Sequence, residues 1–300
     1  MVILNTSAAR STPRRVNGTY SPPTPLEDLH ILDHLELAGS QYRAAAALSM
    51  HQSTVCRSVQ LMKRQFHLVP QQHAATCRYG PNSSLQYLRL AYREHRLMKG
   101  LLRIGSDVLH QSLLVGMGNV QQVPARFRHG DHWAELVCHG LLDGAIVSSF
   151  SLSRVLPVDQ TPQWEGLAVV PLGQLRLQLV TNTPGTRRVL LPRKGVMPLL
   201  RETLEWHGFA VEQQPMACQE PAAWVKRARD RKLALPICPG LLDHGWLEGQ
   251  GLAALAEQPV LSERLWLLMP KGIKAGQTAR RCVRLLRAQI KRGENNAVNA

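Results

Sequence analysis

The residues best suited to chemistry are Ser53, Arg57, Gln60 and Arg64, four polar side chains spaced three or four apart. At about 100° per residue they share one face of a helix, with Val55, Val59 and Met62 opposite. Arginine can take O6 and N7 of guanine in bidentate fashion, glutamine can pair with adenine, and a serine or threonine hydroxyl can bond a base or a phosphate. Such a helix suits the major groove of DNA, with Gln52 and Thr54 at its start and Lys63, Arg43 and Arg78 placed for flanking phosphates. Periodicity alone fits a solvated surface helix of a helical bundle equally well.

Other constellations are poorer. His129, His132, Cys138 and His139 have metal-ligand types, and a helix would put His132 and His139 on one face with Cys138 turned away. No CxxC or HxxxH unit supports them, so no metal is expected. The six cysteines (56, 77, 138, 218, 238 and 282) are scattered and read as reduced thiols, and no spacing marks Cys218 and Cys238 as a redox pair. Phosphate-loop and dinucleotide-binding glycine patterns are absent, as is a nucleophile in an activated turn. The expectation is a protein that is not an enzyme, without catalytic residues or a cofactor.

Charge points the same way as the basic helix. The 300 residues carry a net charge of +15, which favours a polyanionic partner. Residues 1–100 contribute 12 Lys/Arg against 5 Asp/Glu, and residues 271–292 hold 8 Lys/Arg with no acid. Arg280, Arg281, Arg284, Arg287, Lys291 and Arg292 decorate a helix whose apolar side is Val283, Leu286 and Ile290, read as a surface helix rather than a second DNA reader. No apolar run reaches the ~18–20 residues of a membrane helix, and the N-terminus is unlike a secretory signal; the expected location is cytoplasmic, without a membrane partner.

The elements that must position these residues follow from periodicity. Residues 1–23 read as a disordered basic, Pro-rich tail. Thr24, Pro25 and Glu27 suggest a capping box for a leucine-rich helix that Gly39 stops. Ser40 caps a short helix over 44–48, Ser49–His51 form the turn, and Gln52–Phe66 form the third helix. Residues 67–81 are turn-rich and expected to form a wing. An amphipathic helix follows over 82–99, capped by Asn82 or Ser83, with Leu85, Leu88, Tyr92 and His95 on one side and Arg89, Arg93 and Arg96 on others. Beyond Leu101, strands expected at 102–106, 144–148, 167–170, 175–181, 188–191, 233–236 and 265–269 alternate with helices at 108–115, 132–139, 196–207, 220–229 and 278–291. That alternation predicts an α/β domain with a mainly parallel sheet.

Leu29, Leu32, Gly39-Ser40, Tyr42, Ala44-Ala45, Leu48, Gln52, Thr54-Val55, Arg57 and Val59 stand at spacings that resemble the N-terminus of LysR-type transcriptional regulators. His51 and Cys56 replace usual serines, Ser53 a common proline, and Met62-Lys63 a Leu-Glu pair; the wing pattern is missing. More weakly, Leu102–Gly105, Gly140–Val147, Leu233–Pro236 and Leu265–Pro270 are similar to strands of the family's effector domain. The resemblance implies a winged helix-turn-helix (24–81), a linker and dimerisation helix (82–100) and a two-lobed periplasmic-binding-protein-like α/β effector domain (101–293). Lobe I would hold 101–180 and 268–292, and lobe II 181–267. Ser106, Thr181 and Asn182, at strand ends, are the expected effector contacts, although all three also suit ordinary caps and turns.

The reading is a LysR-type regulator that binds double-stranded DNA as a homo-dimer or homo-tetramer, modulated by a small-molecule effector. A second reading is a cytoplasmic solute- or partner-binding protein with a vestigial helix-turn-helix.

Overall fold

Helix α1 (Glu27–Ala38) buries Leu29, Leu32 and Leu37, and ends where Gly39 turns left-handed at φ 75° and donates its N–H to Leu35 O at 2.8 Å. The computed structural model describes residues 20–71, 76–214, 221–243 and 245–298. The expected capping box does not form: a 3₁₀ turn over Thr24–Leu26 precedes α1, and no side chain caps either element. Order extends back at least to Tyr20, inside the segment expected to be disordered. Its ring stacks at 6.1 Å on Tyr92 and its hydroxyl pairs with His95 Nδ1 at 2.6 Å.

Ser40 caps α2 (Gln41–Ala47) by accepting from the Arg43 amide, and α3 spans Gln52–Gln65. Leu29, Leu32, Ala44, Ala45, Val55, Val59 and Met62 form one buried cluster, closed by Leu85 and Tyr92 of α4 (Ser83–Met98). Asn82 caps α4, its side chain accepting from Leu85 N at 3.0 Å. The expected wing has no strand among the described residues of 67–81, and residues 72–75 lie outside them. The flanks are tied by one backbone bond, Gln71 N–H to Arg78 O, and Glu36 draws the second flank onto α1 by accepting from the Tyr79 amide at 2.7 Å.

The C-terminal region is a mixed α/β domain. Strands β1 (Leu102–Gly105), β2 (Val120–Gln122) and β3 (Gly144–Ser148) pair in parallel, with α5 (Gly130–Cys138) in the crossover. The helix expected at 108–115 is instead a turn followed by a 3₁₀ segment, Gln111–Leu114. Asp107 Oδ1 accepts the amides of Leu109 and His110, and Gly116 at φ 75° breaks the chain after it.

β4 runs unbroken over Leu167–Thr181, merging two expected strands, and bulges between Pro171 and Gly173. Gly173, at φ 149°, lies where a Cβ would strike Ile290, so the bulge needs glycine for a helix to rest there. Then come β5 (Arg188–Pro192), α6 (Pro198–Trp206), β6 (Ala210–Gln214), α7 (Pro221–Asp230), β7 (Leu235–Ile237), α8 (Trp246–Gly249) and β8 (Ala253–Ala254). β9 (Leu261–Pro270), α9 (Lys271–Lys274) and α10 (Gln277–Val298) complete the order.

The sheet order is β2-β1-β3-β9-β4-β7, with β8 also on β4, while β5 and β6 form a separate parallel pair. The expectation of a mainly parallel sheet is therefore corrected. β9 is antiparallel to both β3 and β4, and β4 is antiparallel to β7 and β8, because two long strands cross between the β1–β3 group and the β7–β8 group. α10 lies along β4 through Ala279, Cys282, Leu286 and Ile290, leaving its six expected basic residues exposed. No helix among the described residues is long and apolar enough to cross a membrane.

Candidate nucleic-acid interface and the polar core behind it

On α3 the sequence pattern and the packing agree. Val55, Val59 and Met62 are buried against α1 and α2, joined by Ser58, while Ser53, Arg57, Gln60 and Arg64 are exposed together on the far face. Gln52 is exposed and its amide reaches Gln41 Oε1 at 3.4 Å; Thr54, Lys63 and Arg43 are half-buried, and Arg78 is exposed. Arg57 and Arg64 make no ion pair among the described residues, so both guanidiniums are available to a ligand. The arrangement presents a polar, basic helix face standing on an apolar platform.

Behind that platform is a buried ionic network that the sequence reading missed. The expectation sets Arg89, Arg93 and Arg96 on other sides of α4 than Leu85, Leu88, Tyr92 and His95. They point inward instead, with Arg89 and Arg96 fully buried. Arg89 Nε donates to Asp33 Oδ1 at 2.8 Å, and its Nη2 to Glu36 Oε2 at 3.1 Å. Arg96 reaches both oxygens of Asp143 at 2.6 and 2.8 Å, Arg93 joins it at 3.3 Å, and the Arg103 amide donates to Asp143 Oδ2 at 2.7 Å. Arg103 Nη1 meets Asp33 Oδ2 at 3.0 Å, and the Arg96 and Arg103 guanidiniums lie 4.4 and 4.7 Å from the Tyr92 ring centroid. Arg128 adds a separate tie from the α5 side, donating to Leu37 O at 2.7 Å while resting on Trp133.

Helix α1 thus serves two masters: its leucines carry α3, and its acids are clamped by α4 and β1. A signal existed in the sequence. Leu85, Arg89, Tyr92 and Arg96 fall within about 60° of one another on a helical wheel, so the arginines share the face of two residues already read as core.

The network sets the local protonation. Burial alone would raise Asp143, but Arg96, Arg93 and the Arg103 amide outweigh it and hold its carboxyl below the ordinary range. Burial raises Glu36 even against Arg89. Burial, then repulsion from Arg103, pushes His34 down to about 4, although the His30 carbonyl and Asp33 oppose this and Arg96 adds to it; His30 is lowered too, by burial first. In the unfolded chain histidine takes up its proton near its ordinary value of 6.5. Between those values the unfolded state binds more protons, so stability falls as pH drops through that window, for His34 by up to roughly 3 kcal/mol. His34→Gln should flatten this acid limb in urea denaturation series at pH 4–6.5. An unchanged slope contradicts the assignment.

The expected effector residues are spread along strand ends. Ser106 is buried at the end of β1. Thr181 uses its hydroxyl in a local turn, accepting from the Thr183 amide at 3.0 Å, and Asn182 is exposed with its amide on Arg229 O. Among the described residues no hydrogen bond or ion pair joins Ser106 to the other two; turn chemistry accounts for Thr181 and Asn182. Among the histidines read as weak metal ligands, His129 caps α5 and lies 6.2 Å from His132, ring to ring. Cys218 falls outside the described residues, and burial pushes the Cys238 thiol up to about 12, a poor redox nucleophile.

No protein-family model and no curated protein sequence matches the chain. Solved structures do align with it. ArgP from Mycobacterium tuberculosis is 18% identical with a TM-score of 0.46, covering 88% of this chain and 96% of that one. A hydrogen-peroxide-bound OxyR mutant from Corynebacterium glutamicum is 12% identical with a TM-score of 0.47, covering 93% and 96%. CbnR, described as a LysR family transcriptional regulator, is 14% identical with a TM-score of 0.47, covering 88% and 99%.

Proposed function

We propose that the chain is a sequence-specific, DNA-binding transcription regulator of LysR type, whose activity is set by a small ligand held between two lobes of its α/β domain. The observation that carries the reading is the exposed face of α3, where Ser53, Arg57, Gln60 and Arg64 stand together opposite a buried Val55–Val59–Met62 stripe. Helix α2, the Ser49–His51 turn and α3 then form the helix-turn-helix, and the flanks of 67–81 take the place of a wing. The net charge of +15 supplies the attraction for a polyanion.

α4 is the proposed pairing element. Its side away from the ionic network exposes Tyr87, Leu90, Ala91 and Met98, with Tyr87 and Met98 at 73% and 81% exposure. Covering this stripe with a second copy would pair two α3 helices on neighbouring major grooves of a roughly palindromic site. The long strands β4 and β9, crossing between the two strand groups, are the connection across which ligand binding would shift one lobe against the other. The bond set from Asp143 through Arg96, Arg103 and Asp33 to α1 supports a path from that domain to α3.

A salt titration separates the roles of the basic residues. Arg57→Ala is expected to cut the preference for the target over random DNA by about 1–3 kcal/mol, or roughly 5- to 150-fold, with little change on random sequence. Lys63→Ala is expected to weaken both alike and to lower the salt slope by about 1. Equal affinity of the wild-type protein for target and random DNA at every salt concentration would refute the reading.

A further inference from the structure

One cluster of reactive side chains lies outside the interface and the ionic network. His110, Cys238 and Glu263 each place a ligand atom within 4.8 Å of the others, the only such group of three among the described residues. All three are at least nine-tenths buried. His110 sits in the turn after β1, Cys238 follows β7 directly, and Glu263 lies on β9, the strand that crosses between the two groups. His110 Nε2 is 2.7 Å from Glu263 Oε1, Cys238 Sγ is 3.6 Å from the same oxygen, and Ser148 Oγ at the end of β3 bonds Glu263 Oε2.

We propose that His110, Cys238 and Glu263 bind a borderline-soft divalent cation of the Zn²⁺ class. This deepens the regulator reading, on which its role as effector rests, by naming the ligand. Thiolate, imidazole and carboxylate together select zinc-like ions over Mg²⁺ or Ca²⁺, which prefer all-oxygen sites. Two of the donor separations compare directly with what such an ion needs. Bonds of ~2.0–2.3 Å at tetrahedral angles put donor atoms about 3.3–3.6 Å apart. The Cys238–Glu263 separation already fits, and the His110–Glu263 separation must open by about 0.6 Å.

A carboxylate also stands behind the imidazole. Asp107 Oδ1 is 2.8 Å from His110 Nδ1, at an angle that leaves Nδ1 without a straight hydrogen bond until the ring turns. Metal-bound histidines commonly use such a partner to fix the tautomer. Three protein ligands leave a fourth position, and the Ser148 hydroxyl bonds the second oxygen of Glu263. Because the ligands come from β1's turn, β9 and the end of β7, the ion would fasten the two strand groups together.

The test uses the full chain, stripped with a chelator and titrated with Co²⁺ as a spectroscopic substitute. One ion per chain, a thiolate-to-cobalt charge-transfer band and tetrahedral-type visible absorption are expected, all displaced by Zn²⁺. Cys238→Ser should abolish the charge-transfer band, Cys282→Ser should keep it, and Asp107→Asn should weaken binding ~10–100-fold. Circular dichroism of the metal-free variants checks that they fold, and the wild-type titration stands without them. No band in the wild-type protein, or a band that survives Cys238→Ser, overturns the site. Selection of DNA sequences by the metal-free and the Zn²⁺-loaded protein, run in parallel, distinguishes the two claims: enriched DNA without the cobalt band sinks only the metal site, and the band without enriched DNA in either form sinks only the regulator reading.

Discussion

Asp143→Ala is expected to destabilise the protein by about 3–5 kcal/mol, a large share of the ~5–15 kcal/mol that holds a typical domain folded. Asp143 is fully buried and is the carboxylate for both Arg93 and Arg96, while also accepting the Arg103 amide. Removing it strands the fully buried Arg96 guanidinium in low dielectric, with the Tyr92 face at 4.4 Å and the more distant Asp33 carboxylate left to offset its charge. An uncompensated buried charge costs far more than the intact pair contributes, which is why the loss exceeds an ordinary hydrogen-bond deletion. The urea midpoint should fall sharply, whereas the surface pair Arg187–Glu257, exposed on both sides, should yield less than about 1 kcal/mol when broken. A loss below about 1 kcal/mol for Asp143→Ala would show that α4 is not held by this clamp.

Asp33→Ala is expected to cost a similar amount, about 3–5 kcal/mol, but to act elsewhere. Asp33 bridges Arg89 of α4 and Arg103 of β1 from the buried face of α1. Arg89 retains Glu36, so the charge left without a carboxylate is Arg103, which keeps Gln121, the Leu141 carbonyl, His30 and the Tyr92 ring face. Adding Arg103→Met should therefore recover more than half of the loss, because the stranded charge leaves with it. Hydrogen exchange should quicken in α1 and α2 before the β3–β9–β4 sheet, since the lost bonds tie the helical unit to the α/β domain. Uniform quickening, or no recovery in the double variant, would contradict that assignment.

The local grammar of the chain was legible. Ser40 and Asn82 cap the helices they were expected to cap, Gly39 stops α1, and the exposed and buried sides of α3 follow the 3.6-residue period. Strand β3 falls on the five residues the apolar run marked. What stayed hidden depends on partners far away in sequence. Arg89, Arg93 and Arg96 look like solvent residues until Asp33 and Asp143, about 50 residues away, supply counterions. Hydrophobicity alone misassigns a buried arginine face, and the position of Arg89 and Arg96 beside the apolar Leu85 and Tyr92 is the local sign of it. β2 and β6 were missed because short polar strands such as Val120–Gln122 carry no alternation. The His110–Cys238–Glu263 cluster was out of reach for the same reason: its members stand 128 and 153 residues from His110, and no local spacing joins them.

Whether the outer face of α3 reads DNA is decided by selecting sequences from a random double-stranded pool with the purified protein and with Arg57→Ala. The wild-type protein should enrich one motif, approximately palindromic, and Arg57→Ala should lose preference at the base pair Arg57 contacts while keeping salt-sensitive, nonspecific affinity. A wild-type protein that enriches no motif, or an Arg57→Ala variant that enriches the same motif with unchanged preference at every position, would contradict DNA reading by this face.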